Sequence, residues 1–339
     1  MYHARRPRRG VPVPQGADAL AAEATLFAVA EARDRLRGQT PPPFDPTAGH
    51  PAAAAGRAAL RRGDWVRLAR LYTRQSADGR MDWIAALAAT WDPARALPAG
   101  ADGAPALTVA GGVAVLSAAP MPDGAAPRAG DALRRDDGRR ALDRAVRLNP
   151  GDPVPIGLRA GLATRPGDAP LRATLRERMT RSQGGCLLAD AAVLQAHLAA
   201  GDADAAEAFR RERIHQGPAW LALDAIAADR AWQAVGAPPL GADGAAALRA
   251  LQAPLLRGIA REASQDRSRL NWAHNAVGGV MLRMGDAALA RPHLQAIGPF
   301  VRPPLWDGRV VADAPMASLN RLRRLAGLPP LLEGARADR

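Results

Sequence analysis

The sequence predicts an all-α protein built from antiparallel helix hairpins, and three observations carry that expectation. Apolar residues make up 48% of the chain but aromatics only 4%, and alanine supplies much of the difference. Alanine is the strongest helix former and buries little area, so the helices must pack closely around sparse Leu and Trp anchors. β-Branched and aromatic residues are too scarce for a large sheet. Apolar residues also recur at helical spacing in segment after segment, with Gly-Asp, Asp-Gly or proline turns between them. At 339 residues the chain has room for two or three domains or for one elongated helical array.

Residues 1–16 are basic and rich in Pro and Gly, which predicts a disordered tail. Leu20, Ala24, Phe27 and Glu31 at helical spacing predict a first helix over 17–37, and Pro41, Pro42, Pro43 and Pro46 make the stretch up to 51 a linker. Residues 52–130 read as a hairpin followed by an irregular Gly/Pro-rich segment. Asp64 is placed to cap a helix bearing Trp65, Leu68, Ala69 and Tyr72. An Asp78-Gly79 turn leads to a second helix with Ile84, Leu87 and Trp91, ended by Pro93. Over 93–130, Val109, Val113, Val115 and Leu116 suit a helix or a strand, and the flanking Gly and Pro suit a long loop.

The region 131–328 is the most regular, before a tail at 329–339. From Gly138, Ala141, Leu142, Ala145, Val146 and Leu148 mark a helix stopped at Asn149-Pro150. Helices follow at about 154–162, 168–181, 187–198, 202 onward, 221–232 and 244–264. A last pair has Leu270, Ala273, Val277, Val280 and Met284 on its first helix and Ala290, Leu294 and Ile297 on its second. Pro292 inside that second helix requires either a later start or a bend. Gly-Asp recurs at Gly63-Asp64, Gly167-Asp168, Gly201-Asp202 and Gly285-Asp286, with an interval of 201 − 167 = 34 residues between the middle two.

Thirty-four is the period of the tetratricopeptide repeat. Three segments resemble that family: Ala141–Pro153 is similar to the end of a repeat's second helix and its proline turn, while Ala199–Phe209 and Leu282–Arg291 resemble the turn between a repeat's helices. The resemblance extends loosely over 55–325 and to bacterial helical-repeat proteins, although the full signature is nowhere complete. It implies an irregular α-solenoid whose concave face binds a peptide or a partner protein, without catalysis.

The residues themselves point the same way. There is no Gly-x-Ser-x-Gly elbow, no phosphate-binding loop, no His-Glu-x-x-His and no dinucleotide-binding glycine pattern. His3, His50, His197, His215, His274 and His293 include no pair at i,i+3 or i,i+4, so no local metal site is expected, and no cofactor; an enzyme whose site is assembled from distant residues is the second alternative. Asp136-Asp137 and Asp202-Asp204 are expected to cap helices. The candidate partner-binding face is Asn271, His274, Asn275 and Gly278, because Asn and His both donate and accept hydrogen bonds opposite an apolar stripe. The competing and favoured reading is a helix end with exposed polar residues, or polar contacts to a neighbouring helix. Most of the seven tryptophans are expected to anchor the core; Trp306, in a loop, is expected either to plug the C-terminal end of the array or to mark a surface contact, with packing favoured.

The formal net charge is +13, and all 46 basic residues are arginine. Such a balance points to nucleic acid, but a lysine-free, Ala-, Gly- and Pro-rich chain reflects a GC-rich genome, so a solvated arginine surface is favoured over a nucleic-acid or anion site. Cys186, the single cysteine, excludes an internal disulfide and reads as a small buried apolar residue. The N-terminal arginine pairs are not followed by an uninterrupted apolar segment, since Asp18, Glu23 and Glu31 intervene. The apolar stretch 105–121 is short and broken by Gly and Pro, so a cytoplasmic chain without a membrane segment is expected.

Overall fold

The computed structural model describes residues 42–45, 47, 49–92, 95–118, 129–182, 184–234, 250, 252–254, 256–258, 266–283, 287–306 and 315–332. Among these residues the regular structure is all helical, with no strand. The expected helix at 17–37, the Gly285-Asp286 turn and most of 244–264 lie outside them.

The chain forms two compact units: Pro46–Ala227 with Gly258–Leu270, here the first unit, and Met1–Asp45, Ala228–Arg257 and Asn271–Arg339, the second. The first contains α1 (Ala53–Arg62), α2 (Trp65–Thr73), α3 (Ala77–Ala89), α4 (Ala104–Ser117), α5 (Ala129–Leu148), α6 (Pro153–Ala160), α7 (Ala169–Arg181), α8 (Leu187–Ala199) and α9 (Ala203–Arg213). α10 (Ala222–Ala234) begins in it. The second includes most of α11 (Arg267–Arg283), then α12 (Ala287–Ile297) and α13 (Pro315–Leu325).

Two of the Gly-Asp turns share one physical device. Gly63 adopts φ +68° and Gly201 φ +76°, the left-handed conformation that glycine reaches without a Cβ clash. The N–H of Asp64 then donates to the Ala59 carbonyl at 3.0 Å, and that of Asp202 to the His197 carbonyl at 2.9 Å, closing α1 and α8. Each turn starts the next helix at once, and Asp64 Oδ1 accepts the Arg67 N–H at 3.0 Å as the expected cap. Gly167 is different. It lies within a single 3-10 turn, Pro166–Asp168, so the two turns joined by the 34-residue interval differ in backbone.

The Asp78-Gly79 turn is corrected. Ser76 Oγ accepts the Gly79 N–H at 3.0 Å, so α3 starts at Ala77 and both residues sit in its first turn. Serine is a preferred cap, and an aspartate in the first turn favours the helix dipole. Asp136 and Asp137 are also corrected: they lie well inside α5, paired with Arg139 at 3.2 Å and with Arg140.

The ambiguous stretch 93–130 contains α4, buried on nearly every side from Ala106 to Val115. A helix enclosed all round shows no amphipathic stripe, which is why its sequence could not be told from a strand. Its main partner is α5. A Cβ on Gly111 would lie 2.8 Å from the Gly138 carbonyl oxygen, and one on Gly138 would lie 2.6 Å from Val115 Cγ1. The two backbones therefore touch at a glycine crossing.

Around this crossing the first unit buries Leu60, Leu68, Tyr72, Trp83, Ile84, Leu87, Val109, Val113 and Leu142. The tryptophans anchor it as expected, and their N–H groups find carbonyls: Trp65 to Ala99 at 2.9 Å, Trp83 to Ala52 at 3.1 Å, Trp91 to Arg95 at 3.1 Å. The Trp232 side chain lies outside the described residues. In the second unit, α12 retains Pro292 in its interior, and α13 packs on α12. No described helix is long and apolar enough to cross a membrane.

Candidate functional site

The sequence-predicted face on α11 turns toward its own chain. Asn275 is fully buried, and its Oδ1 accepts the Arg302 N–H at 2.8 Å and the Trp306 indole N–H at 2.9 Å. Its Nδ2 donates to the carbonyls of Asn271 at 2.9 Å and Phe300 at 3.2 Å. Asn271 Oδ1 takes the Arg302 Nε–H at 3.0 Å. A Cβ on Gly278 would lie 2.8 Å from the Trp306 ring and 3.0 Å from His293 Cβ, so glycine admits both. Asn271, Asn275 and Gly278 thus hold the 300–306 segment, and Trp306 plugs this part of the core. His274 joins none of these bonds; its Nδ1 lies 2.9 Å from Nδ1 of His293 on α12. The face meets a neighbouring part of the same chain.

A second buried polar cluster, in the first unit, joins residues far apart in sequence. Asp78 Oδ1 accepts the Leu188 N–H at 2.9 Å and lies 3.5 Å from Cys186 Sγ, while Oδ2 accepts the Arg269 Nε–H at 2.8 Å. The Arg269 guanidinium lies over the Trp220 ring, 4.6 Å from its centroid. The Trp220 indole N–H donates to Asp190 Oδ2 at 2.6 Å, and Arg213 pairs with Asp190 Oδ1 at 3.0 Å. Burial raises the carboxyl pKa of Asp78 above its ordinary value. Burial likewise raises Asp190 to about 6, against the lowering pull of Arg213 and the Trp220 bond. Burial and the Asp78 charge push the Cys186 thiol up, so it is a buried thiol rather than a nucleophile. This cluster fastens α3, α8 and the segments at 213–220 and 269. Asp190 had a readable signal, since it stands alone in Leu187-Leu-Ala-Asp-Ala-Ala-Val-Leu194. Asp78 had none, because an aspartate in a first turn is ordinarily solvated.

A concave feature with room for a ligand lies elsewhere in the first unit. A cavity of about 310 Å³ opens between α4, α5 and the residues Trp91, Ala96 and Leu97. Trp91, Leu97, Ala110, Ala114 and Ala141 give it apolar walls, and Ser117, Arg134 and Asp137 supply its polar groups. Its size is at the small end of ligand pockets, roughly 300–1,000 Å³. Small alanine side chains line it from both helices, beside the glycine crossing where the two backbones come closest. Neither the alanines nor the crossing is visible as a motif. Among the described residues no group of three or more His, Cys, Asp or Glu is placed to hold a metal ion.

The chain matches no family model, no curated protein sequence and no solved structure.

Proposed function

We propose that the chain is a non-catalytic binding protein that takes a large apolar side chain of a partner polypeptide into the cavity between α4 and α5. The observation that carries this reading is the cavity itself, whose walls are apolar and whose edge bears Ser117, Arg134 and Asp137, the last already paired with Arg140. All-helical surfaces offer no strand edge for pairing, so recognition falls to a pocket or groove. A chain of net charge +13 favours acidic residues around the anchor. We read the helix pairs as an irregular α-solenoid of the tetratricopeptide kind, supported by the matching turns at Gly63-Asp64 and Gly201-Asp202. A reducing cytoplasm suits the buried, single Cys186. The nucleic-acid alternative draws less support: Arg139, Arg140, Arg144, Arg210 and Arg211 all lie in ion pairs with carboxylates that a phosphate would have to displace.

A displayed peptide library selected on the protein tests the proposal. Peptides with one large apolar residue among acidic ones should be enriched. Ala110→Leu and Ala141→Leu, which place a larger side chain in the cavity from its half-buried walls, should weaken them by tenfold or more, about 1.4 kcal/mol, without loss of thermal stability. Enrichment of no peptide, or binding indifferent to both substitutions, overturns the reading.

A further inference from the structure

The pair His274–His293 has no part in the cavity and no role in the polar bonds around Asn275. Both rings are buried, His293 completely and His274 to 8% exposure, and their Nδ1 atoms are 2.9 Å apart. The ring centroids lie 5.1 Å apart with planes tilted by 54°. Two imidazole nitrogens at that distance need one proton between them, so one ring donates Nδ1–H and the other accepts it. The accepting ring must then carry its own proton on Nε2. His293 Nε2 is buried and has no hydrogen-bond partner. An N–H stranded there costs more than a bare lone pair with a weak acceptor's demand. His293 is therefore the donor, through Nδ1–H, and His274 the acceptor, with its Nε2–H on the ring that keeps some exposure.

We infer that these two histidines form an acid-sensitive latch: one shared hydrogen bond ties α12 to α11 while both rings are neutral, and uptake of a further proton opens it. The proton has two places to go. On His274 Nδ1 it sets two N–H groups against each other and breaks the bond. On His293 Nε2 it puts a cation in a dry site with no acceptor. Among the described residues no carboxylate is paired with either ring. The described arginines on α11, on α13 and in the 300–306 segment have other commitments: Arg283 is bonded to Asp229 and reaches the Leu305 carbonyl, Arg302 bonds Asn271, and Arg323 of α13 bonds the Leu294 carbonyl at 2.7 Å. Arg291, on α12 itself, approaches Gly327. Burial accordingly lowers His274 to about 4, and burial with the neighbouring ring lowers His293 to about 3. Opening α12 also frees the flank of Gly278 and Trp306, so acid loosens the hold on the 300–306 segment.

Imidazole ¹⁵N spectra of the wild-type protein decide the tautomers. His293 protonated on Nδ1 and His274 on Nε2, with both neutral at pH 6, is the expected result. An Nε2–H tautomer on His293, or either ring titrating near 6.5, overturns the latch. Amide hydrogen exchange then reads its strength. Lowering the pH from 7.5 to 5 should raise the opening equilibrium of α12 by about thirtyfold for each ring, because an ordinary histidine of pKa about 6.5 takes up the proton once released. His293→Asn keeps a donor facing His274 and removes one titrating ring, so it should cut that response by about thirtyfold. An unchanged response in a folded His293→Asn protein overturns the latch as well.

Discussion

Asn275 is the residue whose loss should be felt most for its size. Its amide oxygen accepts two buried N–H groups, and its nitrogen donates to two carbonyls. Asn275→Ala strands the Trp306 and Arg302 donors together, and a stranded buried donor costs about 1–3 kcal/mol. We expect a loss of about 2–4 kcal/mol, read from urea unfolding, with the half-buried Asn271→Ala losing less. The spacing alone puts Asn271, Asn275 and Gly278 on one helical face. It could not say what lies opposite, because a helical wheel reports spacing along one element, and the partners here come from residues 300–306.

At the scale of elements, the crossing of α4 and α5 is the most constrained contact. Gly138→Ala would gain about 1 kcal/mol in helix propensity but would put a methyl 2.6 Å from Val115 Cγ1 and 3.0 Å from the Gly111 carbonyl. Overpacking of that kind costs about 1–3 kcal/mol, so the net change should be destabilising, with a lower melting temperature. A stabilised Gly138→Ala protein would mean that the helices separate easily. The amphipathic helices, α2 among them, were legible from Trp65, Leu68 and Tyr72. α4 was not, because burial on all sides erases the periodicity that distinguishes helix from strand. The cavity beside it was illegible for a related reason: it is made of absent side-chain volume, which only the packing reveals.

For the whole molecule, acid should act on Asp190 in the first unit and on the histidine pair in the second in opposite directions. Asp190 in the first unit is raised to about 6, so between roughly pH 4 and 6 the folded state holds more protons than the unfolded one. Its contribution is therefore fully present at the acid end and is lost as pH rises, by up to about 3 kcal/mol. His274 and His293 in the second unit are lowered, so their contribution is present above about 6.5 and is lost as pH falls. Hydrogen exchange between pH 6.5 and 4.5 should show α12 losing protection, and α8 gaining it in the wild type relative to Asp190→Asn. That comparison matters because Asp202 and Glu207, lowered by His197 and Arg210, pull the first unit the other way. Equal pH profiles for α8 in the two proteins would rule out the assignment to Asp190.

The burial of Cys186 has a practical side. It is the one thiol in 339 residues, it is enclosed in the first unit, and it lies against the carboxylate of Asp78. An alkylating reagent reaches it when that part of the molecule comes apart and not before. The protein thus carries its own stopwatch, and the pace at which the thiol is consumed counts the openings of the first unit without any label being added.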